Sequence, residues 1–266
     1  MSLISIDKLV ILLVEPSSTQ QRIIAKHLEG LGVKEMDFSS SAQETLDYLA
    51  RTKPDVVVSA MHLPDMTGTE LLQNIRETEE YIDTPFILIS SETAVRYLDP
   101  MRQSGVTAIL PKPYEVEQLR QALYATVEFL EPSTEEFEDY SMGELRVLVV
   151  DDSLTSRRQI AKLLQGLGIQ QISEAEDGKS AITLVENEYY DLIVTDYNMP
   201  EMDGKELTEY IRTKSSQAGV PIVMITSESD ASRLAAVEKS GVSAICDKPF
   251  EPSTIKRILK ISVLGE

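Results

Sequence analysis

Cysteine occurs once in the 266 residues, as Cys246, so no disulfide can form within the chain and a reducing, cytoplasmic setting is the expected one. Long apolar runs are missing. Stretches such as Leu9 to Val14 fall far short of the ~18 residues that suggest a membrane-spanning helix. The opening Met1-Ser2-Leu3-Ile4-Ser5 has neither the basic region, the long apolar stretch nor the small-residue cleavage site of a secretory signal. Positive charge is scarce: 25 Lys and Arg stand against 44 Asp and Glu, for a net charge of −19 and a pI near 4.5. The resulting field repels phosphate backbones and anionic headgroups, which argues against partners that are nucleic acid or membrane surface. No G-x-x-x-x-G-K-[ST] loop and no G-x-G-x-x-G fingerprint occurs, so nucleotide binding has no support.

What is present is a repeat. Gly30-x-Gly32 recurs as Gly166-x-Gly168, Pro64-x-Met66-x-Gly68 as Pro200-x-Met202-x-Gly204, Pro85 as Pro221, Gly105 as Gly241, and Lys112-Pro113 as Lys248-Pro249, each at an offset of 136 residues. A period that long exceeds the 20 to 50 residues of stacked repeats, so each copy should be a domain of its own. The expected division is 1–130, an acidic linker over 131–143, and 144–266. The linker has five acids and no base and reads as solvated; the three parts carry −8, −5 and −6.

Short apolar runs alternate with helical spacing in each copy. In the second, strands are predicted at Leu145 to Val150, Ile172 to Ala175, Leu192 to Thr195, Ile222 to Thr226 and Val242 to Cys246. Helices are predicted at Thr155 to Leu167, Lys179 to Asn187, Lys205 to Thr213, Ala231 to Lys239 and Ser253 to Leu264. The stripe Ile160, Leu163, Leu164, Leu167 would face a sheet. Such alternation implies α/β domains, doubly wound, each with a five-stranded parallel sheet and helices on both faces. Ligands of such folds sit outside the carboxyl ends of the strands.

At those ends stand Asp151 and Asp152, Asp196, Thr226, and Lys248-Pro249. Three carboxylates brought together repel one another unless a cation neutralises them, and their oxygens suit a hard divalent ion such as Mg²⁺. Lys248 and the Thr226 hydroxyl would then supply donors for a phosphoryl group on the remaining carboxylate, which acts as nucleophile. Taken singly the signals are weak, since Asp152 or Ser153 also suits a helix N-cap and Lys-Pro a solvated turn; together and in order they are specific.

With that order the second copy resembles, over its whole length, the CheY-like receiver domains of bacterial two-component response regulators. The resemblance implies a flavodoxin-like strand order 2-1-3-4-5, Asp196 as phosphoacceptor, and Mg²⁺ held by Asp151, Asp152, Asp196 and the Asn198 backbone carbonyl. It further implies Thr226 and Lys248 on the phosphoryl oxygens, a cis bond before Pro249, and Asn198 and Glu228 as the residues that tune dephosphorylation. The phosphodonor would be a histidine kinase or a phosphotransfer protein. Output would run from the loop and helix after Thr226 to a protein partner or to a dimer contact around residues 227 to 260. Ile245 stands where many receivers carry a switching aromatic, which puts coupling by an aromatic rotamer in question. On this reading the chain is not an enzyme. Two other readings remain: the regulatory portion of a larger enzyme, such as a diguanylate cyclase, with its output domain beyond residue 266; and a metal-dependent phosphatase acting through Asp196. Such phosphatases usually place a second acid two residues after the nucleophile, where this chain has Asn198.

Subtracting 136 carries Asp151, Asp152, Asp196, Thr226 and Lys248 to Glu15, Pro16, Ala60, Ser90 and Lys112. Alanine offers no nucleophile and proline no ligand, so the first copy is expected to be a pseudo-receiver, with Lys112 neutralising Glu15. Asp65 and Asp55 are poor substitutes, one five residues past Ala60 and the other at the opposite strand end. His62 and His27 read as solvated, Cys246 as a core residue, and Met61, Met66, Met199 and Met202 as loop packing.

Overall fold

The computed structural model describes residues 5–92, 95–137, 140–227, 237, 239–249 and 252–264. The chain divides into two compact units, Met1–Pro132 and Ser133–Glu266. The first contains strands β1 Val10–Val14, β2 Glu35–Ser39, β3 Val56–Ala60, β4 Phe86–Ser90 and β5 Ala108–Pro111. They alternate with helices α1 Ser18–Gly30, α2 Ala42–Leu49, α3 Gly68–Glu77, α4 Val95–Gln103 and α5 Val116–Leu130. The second contains β6 Arg146–Val150, α6 Leu154–Gly166, β7 Gln171–Ala175, α7 Gly178–Asn187, β8 Leu192–Asp196, α8 Gly204–Lys214, β9 Ile222–Thr226 and β10 Ala244–Asp247. It ends in helix α9 Pro252–Ile258, which runs on as a π-helical segment Leu259–Leu264.

Both sheets are wholly parallel, in the orders β2-β1-β3-β4-β5 and β7-β6-β8-β9-β10. The registers match at the offset of 136, for example Leu13↔Val58 and Val149↔Val194. The central strands are continuously apolar because both faces are covered. Ile11 and Leu13 point into one layer with Ile24, Leu28, Leu119 and Leu123, and Leu12 and Val14 into the other with Leu71, Leu72, Ile75 and Phe86. The expected stripe Ile160, Leu163, Leu164, Leu167 lies in the corresponding layer of the second unit.

Two close approaches fix the helices at the strand ends. A Cβ on Gly68 would stand 2.7 Å from the Ala60 carbonyl oxygen, and one on Gly204 would stand 2.2 Å from that of Asp196, so only glycine lets α3 and α8 start against the strands before them. The peptide bonds before Pro113 and Pro249 are both cis.

Three features differ from the expectations. The last strand starts at Ala244 and not at Val242, because Gly241 and the Ser243 N–H bond to the Ile222 carbonyl form the turn into it. The stretch between the copies is not solvated throughout: Glu135 and Glu136 are exposed, but Phe137 and Met142 are buried with Ile255, Ile258 and Leu259 of the second unit. Glu136 pairs with Lys260 at 2.8 Å. Burial of one Phe is worth about 1.5–3 kcal/mol, enough to anchor a strongly acidic segment. His27 is half-buried, its Nδ1 3.1 Å from the Tyr114 hydroxyl, whereas His62 is exposed. The helix predicted at Ala231 to Lys239 falls almost entirely outside the described residues.

Candidate functional site

Parallel strands that end side by side bring Asp151, Asp196 and Lys248 together although 97 residues separate the first from the last. The Asp151 N–H donates to the Ala175 carbonyl, and the Lys248 N–H donates to the Thr226 carbonyl at 2.7 Å, so each loop leaves its strand tied to a neighbouring strand end. Asp151 and Asp196 are buried; Asp152 lies at the rim. One carboxylate oxygen of each lies within 4.8 Å of the others, the one such group among the described residues.

Lys248 is the internal counter-charge. Its Nζ donates to Asp151 Oδ2 at 2.8 Å and sits 2.9 Å from Asp196 Oδ1, with only 3% of its side chain exposed. The Ser153 N–H donates to Asp151 Oδ1 at 2.8 Å, and the Asn198 N–H donates to Asp196 Oδ2 at 3.1 Å. Asp196 Oδ1 is fully buried, and Lys248 is the cation that faces it.

One cation against three carboxylates leaves an excess of negative charge. Burial pushes the Asp196 carboxyl up to about 6, the charges of Asp151 and Asp152 add to the rise, and Lys248 opposes it. Asp152 is also raised, by its partial burial and then by Asp151. Burial alone would lower Lys248, but Asp151 and Asp196 outweigh it and its pKa is raised. A buried carboxylate that shares one lysine with a second acid, with a third acid beside it, is a donor set that suits a small divalent cation. Thr226 is buried on β9, one residue past Ile225, the register partner of Asp196. Glu228 lies outside the described residues.

The first unit reproduces the frame without the chemistry. The Glu15 N–H donates to the Ser39 carbonyl and the Lys112 N–H to the Ser90 carbonyl at 2.6 Å, the same bonds at the same offset. Ala60 fills the place of Asp196. Glu15 pairs with Lys112 at 3.3 Å and accepts from the Ser17 N–H at 3.0 Å, while the Ser90 hydroxyl accepts from the Glu92 N–H. Asp65 caps α2, accepting from the N–H groups of Ala42 and Gln43, and Asp55 accepts from the Val10 N–H. Neither acid reaches the pocket. Cys246 is a core residue, its thiol pushed up to about 11 by burial. Of the four loop methionines, Met61 and Met199 are buried, and Met66 and Met202 pack against the cores.

Arg157 is a residue near the pocket that motif spacing does not single out. Its guanidinium donates to the Asp151 carbonyl at 2.6 Å. A charged residue at the fourth position after a capping serine is ordinary in a first helical turn, so only the fold exposes the contact.

The model of the response regulator receiver domain family matches residues 11–124 and again 147–260. A chemotaxis protein CheY homolog of Campylobacter jejuni is 40% identical over 122 residues, 46% of this chain and 93% of that protein. Among solved structures, the chemotaxis protein CheY4 of Vibrio cholerae shares 31% identity over 44% of this chain and 98% of its own, with a TM-score of 0.42. A structure described as a probable two-component system response regulator/GGDEF domain protein covers 97% of this chain and 99% of its own at 23% identity, with a TM-score of 0.45.

Proposed function

The chain belongs to the response regulator receiver family, with two receiver domains in tandem, and from that premise we propose that its second domain accepts a phosphoryl group on Asp196 while its first does not. The observation that supports this most directly is the buried Asp196 carboxylate, with Lys248 Nζ 2.9 Å away and the carboxylates of Asp151 and Asp152 beside it.

In the proposed step an ionised Asp196 oxygen attacks the phosphorus of a phosphohistidine on a kinase or phosphotransfer protein. The P–O bond forms as the P–N bond breaks, and the imidazole leaves after taking a proton. Asp151, Asp152, Asp196 and the Asn198 carbonyl would hold Mg²⁺, which neutralises the phosphoryl oxygens as charge builds on them. Lys248 keeps Asp196 ionised against the pull of burial and donates to a phosphoryl oxygen. Thr226, at the end of the neighbouring strand, donates to another. Asn198 and Glu228 would tune how fast water removes the group.

Phosphorylation adds about two negative charges at this point, and the segment after Thr226 passes the change to a protein partner or a second copy by shifting its population. The first domain, with a Glu15–Lys112 pair in place of the acids, keeps one state and serves as a docking platform. The test is acetyl phosphate with Mg²⁺ on the full chain, followed by mapping of the labelled residue. One phosphoryl group on Asp196, lost in Asp196→Ala, is expected. Labelling that persists in that variant, or that maps to residues 1–132, overturns the assignment.

A further inference from the structure

The acidic pocket has a support behind it. Arg157 stands in the first turn of α6, and its Nη1 reaches back to the backbone, donating to the Asp151 carbonyl at 2.6 Å and to the Asp152 carbonyl at 3.4 Å. Its Nε donates to the Glu174 carboxylate at 3.2 Å. Glu174 lies on β7 in register with Val149. The Arg157 side chain is 13% exposed and its Glu174 partner 41%, so the bond to the Asp151 carbonyl is the sheltered one of the three. A planar guanidinium holds two carbonyls and a carboxylate with donors in a fixed fork, whereas a lysine ammonium offers three donors without that fixed geometry. The Asp151 carboxylate is bound in turn by the Ser153 N–H, so the turn that presents both acids is tied at its carbonyls and at one of its side chains.

The first unit supplies an internal control. The offset of 136 places Gln21 at Arg157 and Phe38 at Glu174. The Gln21 amide reaches the Glu15 carbonyl only at 3.5 Å, it carries no charge, and Phe38 offers no acceptor and is 48% exposed. Both units have the same strand order and register and the same cis bond before proline. The fold therefore does not require the Arg–Glu pair; the pair accompanies the acids. A bare guanidinium so close would repel a divalent cation, and Glu174 cancels that charge while leaving the hydrogen bonds in place.

We propose that Arg157, held by Glu174, is a positioning residue: it fixes the backbone at Asp151 and Asp152 so that both carboxylates face Asp196, and so sets the divalent affinity of the pocket without taking part in phosphoryl transfer. The inference rests on the metal-assisted reading of that pocket. It is tested on the full chain by following the amides of residues 151–153 by NMR during titration with MgCl₂, alongside acetyl phosphate labelling at varied Mg²⁺.

Arg157→Gln, which installs the first unit's residue, should weaken Mg²⁺ binding about 10-fold, the low end of what loss of a ligand-orienting partner costs. The Mg²⁺ midpoint for labelling should shift equally, while the plateau at saturating Mg²⁺ stays near wild type. Arg157→Lys should recover part of the affinity, and Glu174→Gln should shift it the same way by a smaller factor. Unchanged Mg²⁺ affinity in Arg157→Gln overturns the proposal, and so does a variant that only melts earlier without metal. A collapsed plateau at saturating Mg²⁺ overturns it as well, because Arg157 would then act on the transfer itself. If the wild type binds Mg²⁺ but takes no phosphoryl group on Asp196, the phosphoacceptor reading fails, and the MgCl₂ titrations still decide the role of Arg157.

Discussion

The two strand-end pockets share a backbone and a lysine and differ at four side chains: Glu15 against Asp151, Pro16 against Asp152, Ala60 against Asp196 and Ser90 against Thr226. The backbone bonds that shape the pocket, from residue 15 or 151 to the neighbouring strand and from residue 112 or 248 to the strand before it, are present in both. The frame is held by buried aliphatic layers and parallel ladders and does not need the acids. Burying Asp196 opposes folding, and crowding it with Asp151 and Asp152 adds to the cost: burial first, then those two charges, raise its carboxyl against the pull of Lys248. Where the acids are gone, the lysine relaxes into one looser pair, with 28% of its side chain exposed against 3%.

The sharpest way to break this comparison is to transplant the acids. The triple variant Glu15→Asp, Pro16→Asp, Ala60→Asp, in a chain silenced by Asp196→Asn, should gain Mg²⁺-dependent acetyl phosphate labelling on residue 60, at least about 100-fold above the silenced chain. Ala60→Asp alone should stay at background, because Pro16 offers no ligand. Labelling of the single variant would show that the acid pair is dispensable. Next in size is the lysine. Lys248→Ala leaves Asp151 and Asp196 unpaired and buried, a loss of about 3–5 kcal/mol. Lys112→Ala leaves the buried Glu15 with its Ser17 N–H bond and removes one partly exposed, longer pair, a smaller loss of about 1.5–3 kcal/mol. Urea unfolding of both variants in EDTA measures the gap, and equal losses would refute the asymmetry.

A smaller effect separates the units by ligand. At a Mg²⁺ concentration 100 times its Kd, the folded second unit should gain about 2.7 kcal/mol and the first none. Calorimetry should then show one transition that moves with Mg²⁺ and one that does not; two that move together would mean that the pockets are not distinct.

Much of this was legible in the chain. The offset of 136, the apolar runs and the Gly and Pro punctuation locate the five strands of the second copy and its strand-end acids, because central parallel strands buried on both faces leave little ambiguity in composition. What stayed hidden depends on side chains meeting across the fold. Phe137 looks solvated among five acids until α9 and the π-helical segment after it are in place to receive it. His27 looks like a surface residue until Tyr114, 87 positions away, stands 3.1 Å from it. Arg157 carries no motif, and its meaning emerges only when its counterpart, Gln21, is seen to make the weaker contact.

The smallest expected effect concerns protons. Without metal, folded Asp196 has a pKa near 6 against an ordinary value of 3.8. Between those pH values the folded chain holds a proton that the unfolded chain has released. The stability contributed by Asp196 is therefore present below about pH 4 and lost as the pH rises through about 6. A shift of about two units sets a ceiling near 3 kcal/mol. Asn also takes one partner from Lys248, so Asp196→Asn should exceed wild type by about 1–2 kcal/mol in EDTA at pH 7. Measured by urea unfolding from pH 4 to 7.5, the difference should open over that interval and close again when Mg²⁺ is added. The first unit's transition should show no such dependence, because Ala60 has nothing to titrate. A difference that stays constant with pH would mean that Asp196 is already ionised at pH 4 and that Lys248 alone balances the acids.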